Sequence, residues 1–279
     1  MERYNYLTLP PLEEFEKLVS CANYLIEENV KRQEIVDPKR IYQHEIYVKY
    51  VFHINSLLSI FNGTNIYINS KYVKYLDYPS IITLIRASLE TFLTYYYIFI
   101  DPKNDDENIF RYNNWFIDGL NKRQKMEVGF DENLKKVQMS EKLNIEECIK
   151  IIKSTDAYKS LSQKEKDRID KDKMFKRPGW SEIFRLTGVS EYWAKTFYSY
   201  FSSYAHSTSS CIIQLNTART DKSSGKILMM CIHFSLIITS MFIDRYCKDF
   251  NVGERMENEK KESIEAWIWL GKNLSKPKI

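Results

Sequence analysis

Residues 227–243 read ILMMCIHFSLIITSMFI, a stretch with no formal charge, bracketed by Lys226 before it and by Asp244 and Arg245 after it. How this segment is read decides the fold. Its seventeen residues stand at the lower edge of what crosses a bilayer. His233, Ser235, Thr239 and Ser240 are tolerable in lipid, and they equally suit a helix enclosed by protein. The mean hydropathy of −0.44 is that of a soluble protein. The segment is therefore read as a helix buried in a water-soluble core, and no membrane span is expected.

Helical spacing of apolar residues recurs on both sides of it. Pro10-Pro11 and the acids Glu13 and Glu14 start a helix expected to run to about Val36, with Phe15, Leu18, Val19, Ala22 and Leu25 as its apolar stripe. Asp37-Pro38 breaks it. A second helix is expected over about 40–61, with Val48, Val51, Phe52, Ile54, Leu57, Leu58 and Phe61 at helical spacing and Asn62-Gly63 as its stop. Residues 64–78 fit either a short strand around Ile66-Tyr67-Ile68 or a structured loop. Asp77-Tyr78-Pro79 begins a third helix, apolar nearly all round and hence central, which Asp101-Pro102 stops.

The following stretch is more polar. A helix is expected over about 105–125, and short helices after Asn144-x-x-Glu147 and Ser162-x-x-Glu165, both close to capping-box spacing. The mixed charges of residues 164–177 favour a solvated helix or loop over a nucleic-acid patch. After Pro178-Gly179-Trp180 a short helix ends at Gly188, and Ser190 caps a long helix to about Leu215. A polar loop at 216–225 precedes the uncharged segment. The last helix covers about 259–274 and carries Ile264, Trp267, Ile268 and Leu270.

Only 8 glycines and 7 prolines punctuate 279 residues, too few for an all-β chain. A hydrophobic share of 44% and an aromatic share of 14% exclude disorder throughout. The expectation is one all-α domain, an antiparallel bundle of long helices with an inserted helical lobe at about 121–180. The formal charge of +4 permits an anionic partner without arguing for one. Cys21, Cys148, Cys211, Cys231 and Cys247 are odd in number and form no CxxC pair. They read as reduced, mostly buried thiols of a cytoplasmic protein. Residues 1–11 lack the basic start and apolar run of a signal peptide.

The chain holds no P-loop, GxGxxG, HExxH or GxSxG. His44 and His53 fall on opposite faces of one helix and cannot share a metal, so neither metal nor cofactor is expected. Two places are more informative. Arg86-x-x-x-Glu90 puts a guanidinium and a carboxylate one turn apart on an apolar helix. Its bland reading is a structural ion pair; its functional reading is a pocket where Glu90 orients Arg86 toward an anion. Tyr198, Ser202 and His206 step by four residues along one stripe, where Ser202 would hold the imidazole in one tautomer as an acid or base. Its bland reading is a satisfied core histidine. Arg111-x-x-x-Trp115 and Trp180 are ordinary core in the plainer reading and a cation–π platform for a flat or anionic ligand in the other.

The Arg-x-x-x-Glu helix, the Arg/Trp helix, a Trp after a Pro-Gly break and the late Tyr-x-x-x-Ser-x-x-x-His stripe together resemble a bacterial family of all-helical proteins known only as a domain of unknown function. The resemblance spans roughly residues 76–245. It implies a helical fold with Arg86, Glu90, Ser202 and His206 at one site, and it brings no established activity. A looser similarity is to the HEPN superfamily, whose metal-independent ribonucleases act in toxin–antitoxin and phage-defence systems and carry Arg-x4-6-His. This chain departs from that pattern: no Arg stands at that spacing before His206, and Arg40-x-x-x-His44 is one residue short.

The leading expectation is a bacterial cytoplasmic bundle whose buried polar pocket, with Glu90, Arg111, Trp115 and Tyr198 around Arg86 and His206, binds a small anionic or nucleotide-like ligand in a defence or stress system. The enzymatic alternative is RNA cleavage by His206 and Arg86 with Ser202 in support. The third is a protein-interaction scaffold with a purely structural polar network. A homodimer is compatible with each.

Overall fold

The structure is a computed structural model and describes residues 11–32, 37–170, 178–220 and 224–273. Among them are twelve α-helices, one π-helical turn and one two-stranded hairpin, so the chain is all-α. It divides into two compact units. The first joins residues 1–93 to 180–279, and the second is the intervening stretch 94–179. The insertion thus opens at Thr94, earlier than the polar composition of 121–180 indicates. Its first residues continue an apolar helix that no glycine or proline interrupts before Pro102.

The first unit is built around α11 (Ser224–Phe250), the helix that holds the uncharged segment. By length and composition Gly225–Phe250 could cross a membrane, yet 72% of its apolar window is buried inside the protein. Its cover comes from α1 (Pro11–Arg32), α2 (Pro38–Phe61) and α12 (Asn258–Asn273). All five residues of the α1 stripe are buried. Asp37 caps α2, its carboxylate accepting the Lys39 amide with Pro38 in the first turn, and the expected continuation of α1 to Val36 lies outside the described residues. On α2 the inward stripe is Tyr47, Tyr50, Val51, Ile54, Leu57 and Phe61, while Phe52 points to water.

Tyr47 stacks on Tyr246 of α11 at 3.7 Å, and Tyr47 and Tyr50 both meet Phe242. Burying each such aromatic contributes about 1.5–3 kcal/mol. Some of the polar atoms of α11 find partners inside the unit, while the buried Ser240 hydroxyl has none among the described residues. Thr239 Oγ1 and the Tyr50 hydroxyl are 2.9 Å apart, and Ser235 donates back to the Cys231 carbonyl. His44 of α2 is buried, with Nδ1 3.0 Å from the Asn29 side-chain amide and 2.7 Å from the Tyr246 hydroxyl. All five cysteines are free thiols.

Residues 64–75 resolve the ambiguity of the sequence as a hairpin, β1 (Thr64–Ile68) paired antiparallel with β2 (Lys71–Tyr75). Asn69 and Ser70 both take positive φ (51° and 62°), the two-residue turn whose twist matches paired strands. α3 (Tyr78–Tyr95) then runs into the π-helical turn Tyr96–Ile100. Its Phe92 packs 5.2 Å from Phe242. After the second unit come α8 (Trp180–Leu186) and α9 (Glu191–Ala205), followed by α10 (Ser209–Thr220). The long helix expected from Ser190 to about Leu215 is therefore two helices with a turn between, and α10 occupies part of the expected polar loop. Ser190 stands at the N-cap of α9, but its hydroxyl makes no capping bond. Phe184, Trp193, Phe197 and Phe201 gather round Phe234 and seat α8 and α9 on α11.

The second unit has its own core of Phe110, Ile117, Leu120, Ile145, Cys148, Ile152 and Ile169. It pairs α4 (Asp105–Gln124) with α5 (Glu132–Ser154) and adds the short α6 (Asp156–Lys159) and α7 (Gln163–Asp170). Asn144 lies inside α5, because Asp131 caps that helix a dozen residues earlier by accepting the Asn133 and Leu134 amides. At the start of α7 only half of the expected box forms: the Glu165 carboxylate accepts the Ser162 amide at 2.9 Å and the Ser162 hydroxyl at 2.6 Å, while the Glu165 amide bonds the Ser162 carbonyl and not its hydroxyl. The rest of the mixed-charge stretch, 171–177, and Leu274 lie outside the described residues.

Two outcomes follow. A Cβ on Gly271 of α12 would stand 2.5 Å from Ile237 Cγ2 of α11, so Gly271→Ala forces the helices apart and lowers stability by about 1–3 kcal/mol in urea titration. Burial holds the His44 imidazole below its ordinary value of 6.5, with Glu45 opposing, and burial does the same to His53 and His233. The unfolded chain then takes up protons first. Stability is complete above about pH 6.5 and falls as the pH drops through and below that value, as urea midpoints between pH 7.5 and 5.5 will record.

Candidate functional site

Arg86 and Glu90 lie on α3, where the four-residue step brings their side chains together. Nε and Nη2 of Arg86 lie 3.2 and 3.1 Å from Glu90 Oε1. The Tyr198 hydroxyl, from α9, donates to the same oxygen at 3.2 Å. The remaining terminal nitrogen, Nη1, is 3.4 Å from Nε2 of His206, a residue 120 positions further along the chain. All four residues belong to the first unit.

The position of α9 follows from its packing on Phe234, and the position of His206 from the way α9 ends. The helix stops at Ala205, with His206 as its C-cap and Ser207 in the left-handed region at φ 48°. The Ser207 amide bonds the Tyr204 carbonyl and the Thr208 amide bonds the Ser203 carbonyl. This pair of bonds is the Schellman ending, usually built on glycine. A serine there costs about 1–2 kcal/mol of backbone strain. The turn is braced from outside it, since Tyr204 donates to Gln214 of α10 at 2.7 Å and Tyr78 of α3 donates to the Leu215 carbonyl at 3.3 Å. Tyr78 and Tyr204 were not singled out in the sequence. Tyr204 shows there only as one of the crowd of tyrosines in residues 198–204, and Tyr78 only as part of a helix start.

The geometry corrects two expectations. His206 is exposed, and Arg86 and Glu90 keep 19% and 27% of their side-chain surface, so the cluster is open to solvent and not a buried pocket. His206 is also not a core histidine. Ser202 meets His206 only through the backbone, its carbonyl accepting the His206 amide at 3.3 Å. Among the described residues the Ser202 hydroxyl makes no bond to the imidazole. The His206 amide keeps the helical bond to Ser202, and the imidazole meets Arg86 in place of the Ser202 hydroxyl.

Arg111 and Trp115 belong to α4 in the second unit, where Arg111 is held by its own surroundings. Its Nη1 donates to the Tyr97 carbonyl at 2.9 Å and to Asp101 at 2.7 Å, and its Nη2 donates to Glu107 at 2.5 Å. The guanidinium lies over the Tyr97 ring at 4.3 Å, so Tyr97 takes the stacking role expected of Trp115. Trp115 meets Tyr112 at 6.0 Å. Trp180 opens α8 and is half-buried. Among the described residues no group of three or more His, Cys, Asp or Glu is placed to hold a metal ion.

The chemistry of the cluster follows from who must donate. A guanidinium has five N–H donors and no acceptor, so Arg86 donates and His206 Nε2 accepts. The imidazole proton then sits on Nδ1. Glu90 offsets the charge of Arg86 and fixes its plane. Arg86 faces Glu90 through Nε and Nη2 and His206 through Nη1, and it also bonds the Tyr198 side chain. The Tyr198 hydroxyl is pushed up from its ordinary pKa, first by burial and then by the Glu90 charge, with Arg86 opposing, so it stays a donor.

An all-helical protein with an open Arg–Glu–Tyr–His cluster is the class that fold and site define. The chain belongs to a family of unknown function, DUF5677, whose model matches residues 51–224. No curated protein and no solved structure matches it.

The tautomer is directly observable. Long-range ¹H–¹⁵N spectra at pH 8 should show the His206 proton on Nδ1, and in Arg86→Ala the usual preference for Nε2–H should return. A His206 with Nε2–H in the unsubstituted protein contradicts the contact.

Proposed function

We propose that this chain is a bacterial cytoplasmic protein that binds a small anionic, nucleotide-like ligand at Arg86, Glu90, Tyr198 and His206, in a defence or stress response. The observation behind this reading is the meeting of Arg86 and His206 at 3.4 Å across two helices remote in sequence. A guanidinium held flat by a carboxylate and still partly open to solvent suits a phosphate or carboxylate group. The exposed imidazole beside it adds a second contact, and it accepts or donates according to its protonation. The reading uses residues of the first unit alone. The biological setting rests on the resemblance drawn from the sequence.

Thermal shift and calorimetry against inorganic phosphate and a panel of nucleoside mono-, di- and triphosphates test it. At least one ligand should bind. Arg86→Gln should weaken that ligand roughly ten- to a hundredfold, the worth of about 1.5–3 kcal/mol for a charged hydrogen bond. No binding across the panel, or binding indifferent to Arg86→Gln and His206→Ala, overturns the reading in favour of a structural network.

A second reading, metal-independent RNA cleavage, is favoured by one observation: an exposed imidazole stands beside a fixed cation. In that reading His206 moves the proton and Arg86 steadies the charge on the phosphorus oxygens in the transition state. RNA left intact by the purified protein, or cut equally well by His206→Ala, ends it.

A further inference from the structure

The cluster makes no use of the β1–β2 hairpin. Strand register pairs Tyr67 with Tyr72 and Asn65 with Lys74, and alternation puts these four on one face. The two tyrosine rings are 5.1 Å apart and tilted at 57°, and they are 63% and 75% exposed. At the turn Lys71 follows Ser70. Residues 64–75, TNIYINSKYVKY, hold Lys71 and Lys74 and no acidic residue. Two exposed aromatics fixed side by side, flanked only by positive charge, form a surface without an evident role in folding, since neither ring is covered by the protein.

We infer that this hairpin is an arm that binds single-stranded nucleic acid. A phenol ring stacks on any base, and the hairpin holds the pair in place beforehand, so little side-chain freedom is lost on binding. The lysines match the phosphate backbone. Charge decides against a second copy as the occupant. Two hairpins joined edge to edge would bring four lysines together (two from each) with no acid in either to offset them. Stacking needs open base faces, and that sets a single strand above a duplex. The inference does not depend on the reading of the Arg86 cluster.

The test uses the full chain and a 5′-fluorescein-labelled 20-mer of uridine, followed by anisotropy at low salt. The RNA should bind. Tyr67→Ala and Tyr72→Ala should each weaken it by about tenfold, within the range measured for base–aromatic stacking. Both rings lie in water, so circular dichroism and Tm should be unchanged in these variants. Lys71→Ala with Lys74→Ala should flatten the salt dependence, whose slope on a single strand falls by about 0.7 for each phosphate that a lysine no longer neutralises. The inference is overturned by absence of binding, or by binding that ignores both tyrosines. Equal affinity for a duplex of the same length also overturns it. So does a dimer in light scattering that the tyrosine substitutions dissolve while RNA still fails to bind.

Discussion

Phe234 of α11 is met by aromatic rings from α8 and α9, and Phe242, two turns further on, by rings from α2 and α3. Those two contacts do for the first unit what a charged helix could not. A long helix with no formal charge over seventeen residues can be enclosed without stranding an ion. Thr239 closes onto Tyr50 and Ser235 onto its own backbone, and the Ser240 hydroxyl alone of the three is buried without a partner among the described residues. Because α3 and α9 both lean on α11, their side chains meet although the chain separates them by more than a hundred residues. The cluster is thus a by-product of aromatic packing. Shift α9 on Phe234 by one turn and Tyr198 loses Glu90.

Within the cluster the balance of charge matters more than any one residue. Glu90 neutralises Arg86 and so makes a half-buried guanidinium tolerable, while its single oxygen Oε1 also takes the Tyr198 proton donor. Sharing one acceptor between two partners keeps Arg86 edge-on and leaves its far side to His206. The strained Ser207 turn follows His206 directly.

Local rules made much of this legible. Arg86 and Glu90 had to meet because four residues is one helical turn, and the stripe of α1 could be read residue by residue. What could not be read is instructive. The break after Ala205 was hidden because its left-handed residue is a serine, where a glycine would have announced it. Counting by four placed His206 one turn after Ser202, as the backbone bond shows, but it could not show that the imidazole meets Arg86 and not the Ser202 hydroxyl. The hairpin was hidden for a related reason: Asn69-Ser70 is a weaker signal than Asn-Gly, although both residues adopt the positive φ that the turn requires. Phe52 shows the opposite error, an apolar residue at helical spacing that faces water. The start of the insertion at Thr94 left no trace because helix continues through it. Contact between Arg86 and His206 is tertiary, and spacing along the chain carries no information about it.

The place of α11 in the chain also governs how the protein is made. The second unit is one continuous stretch, and its core is complete once Ile169 has left the ribosome. The first unit cannot close at that stage. The stripes of α1 and α2 are synthesised early, but the helix they wrap begins only at Ser224. Vectorial synthesis therefore favours the later-encoded insertion folding before the segment that precedes it, with the amino-terminal helices waiting, greasy and unclothed, for a partner more than 150 residues behind them.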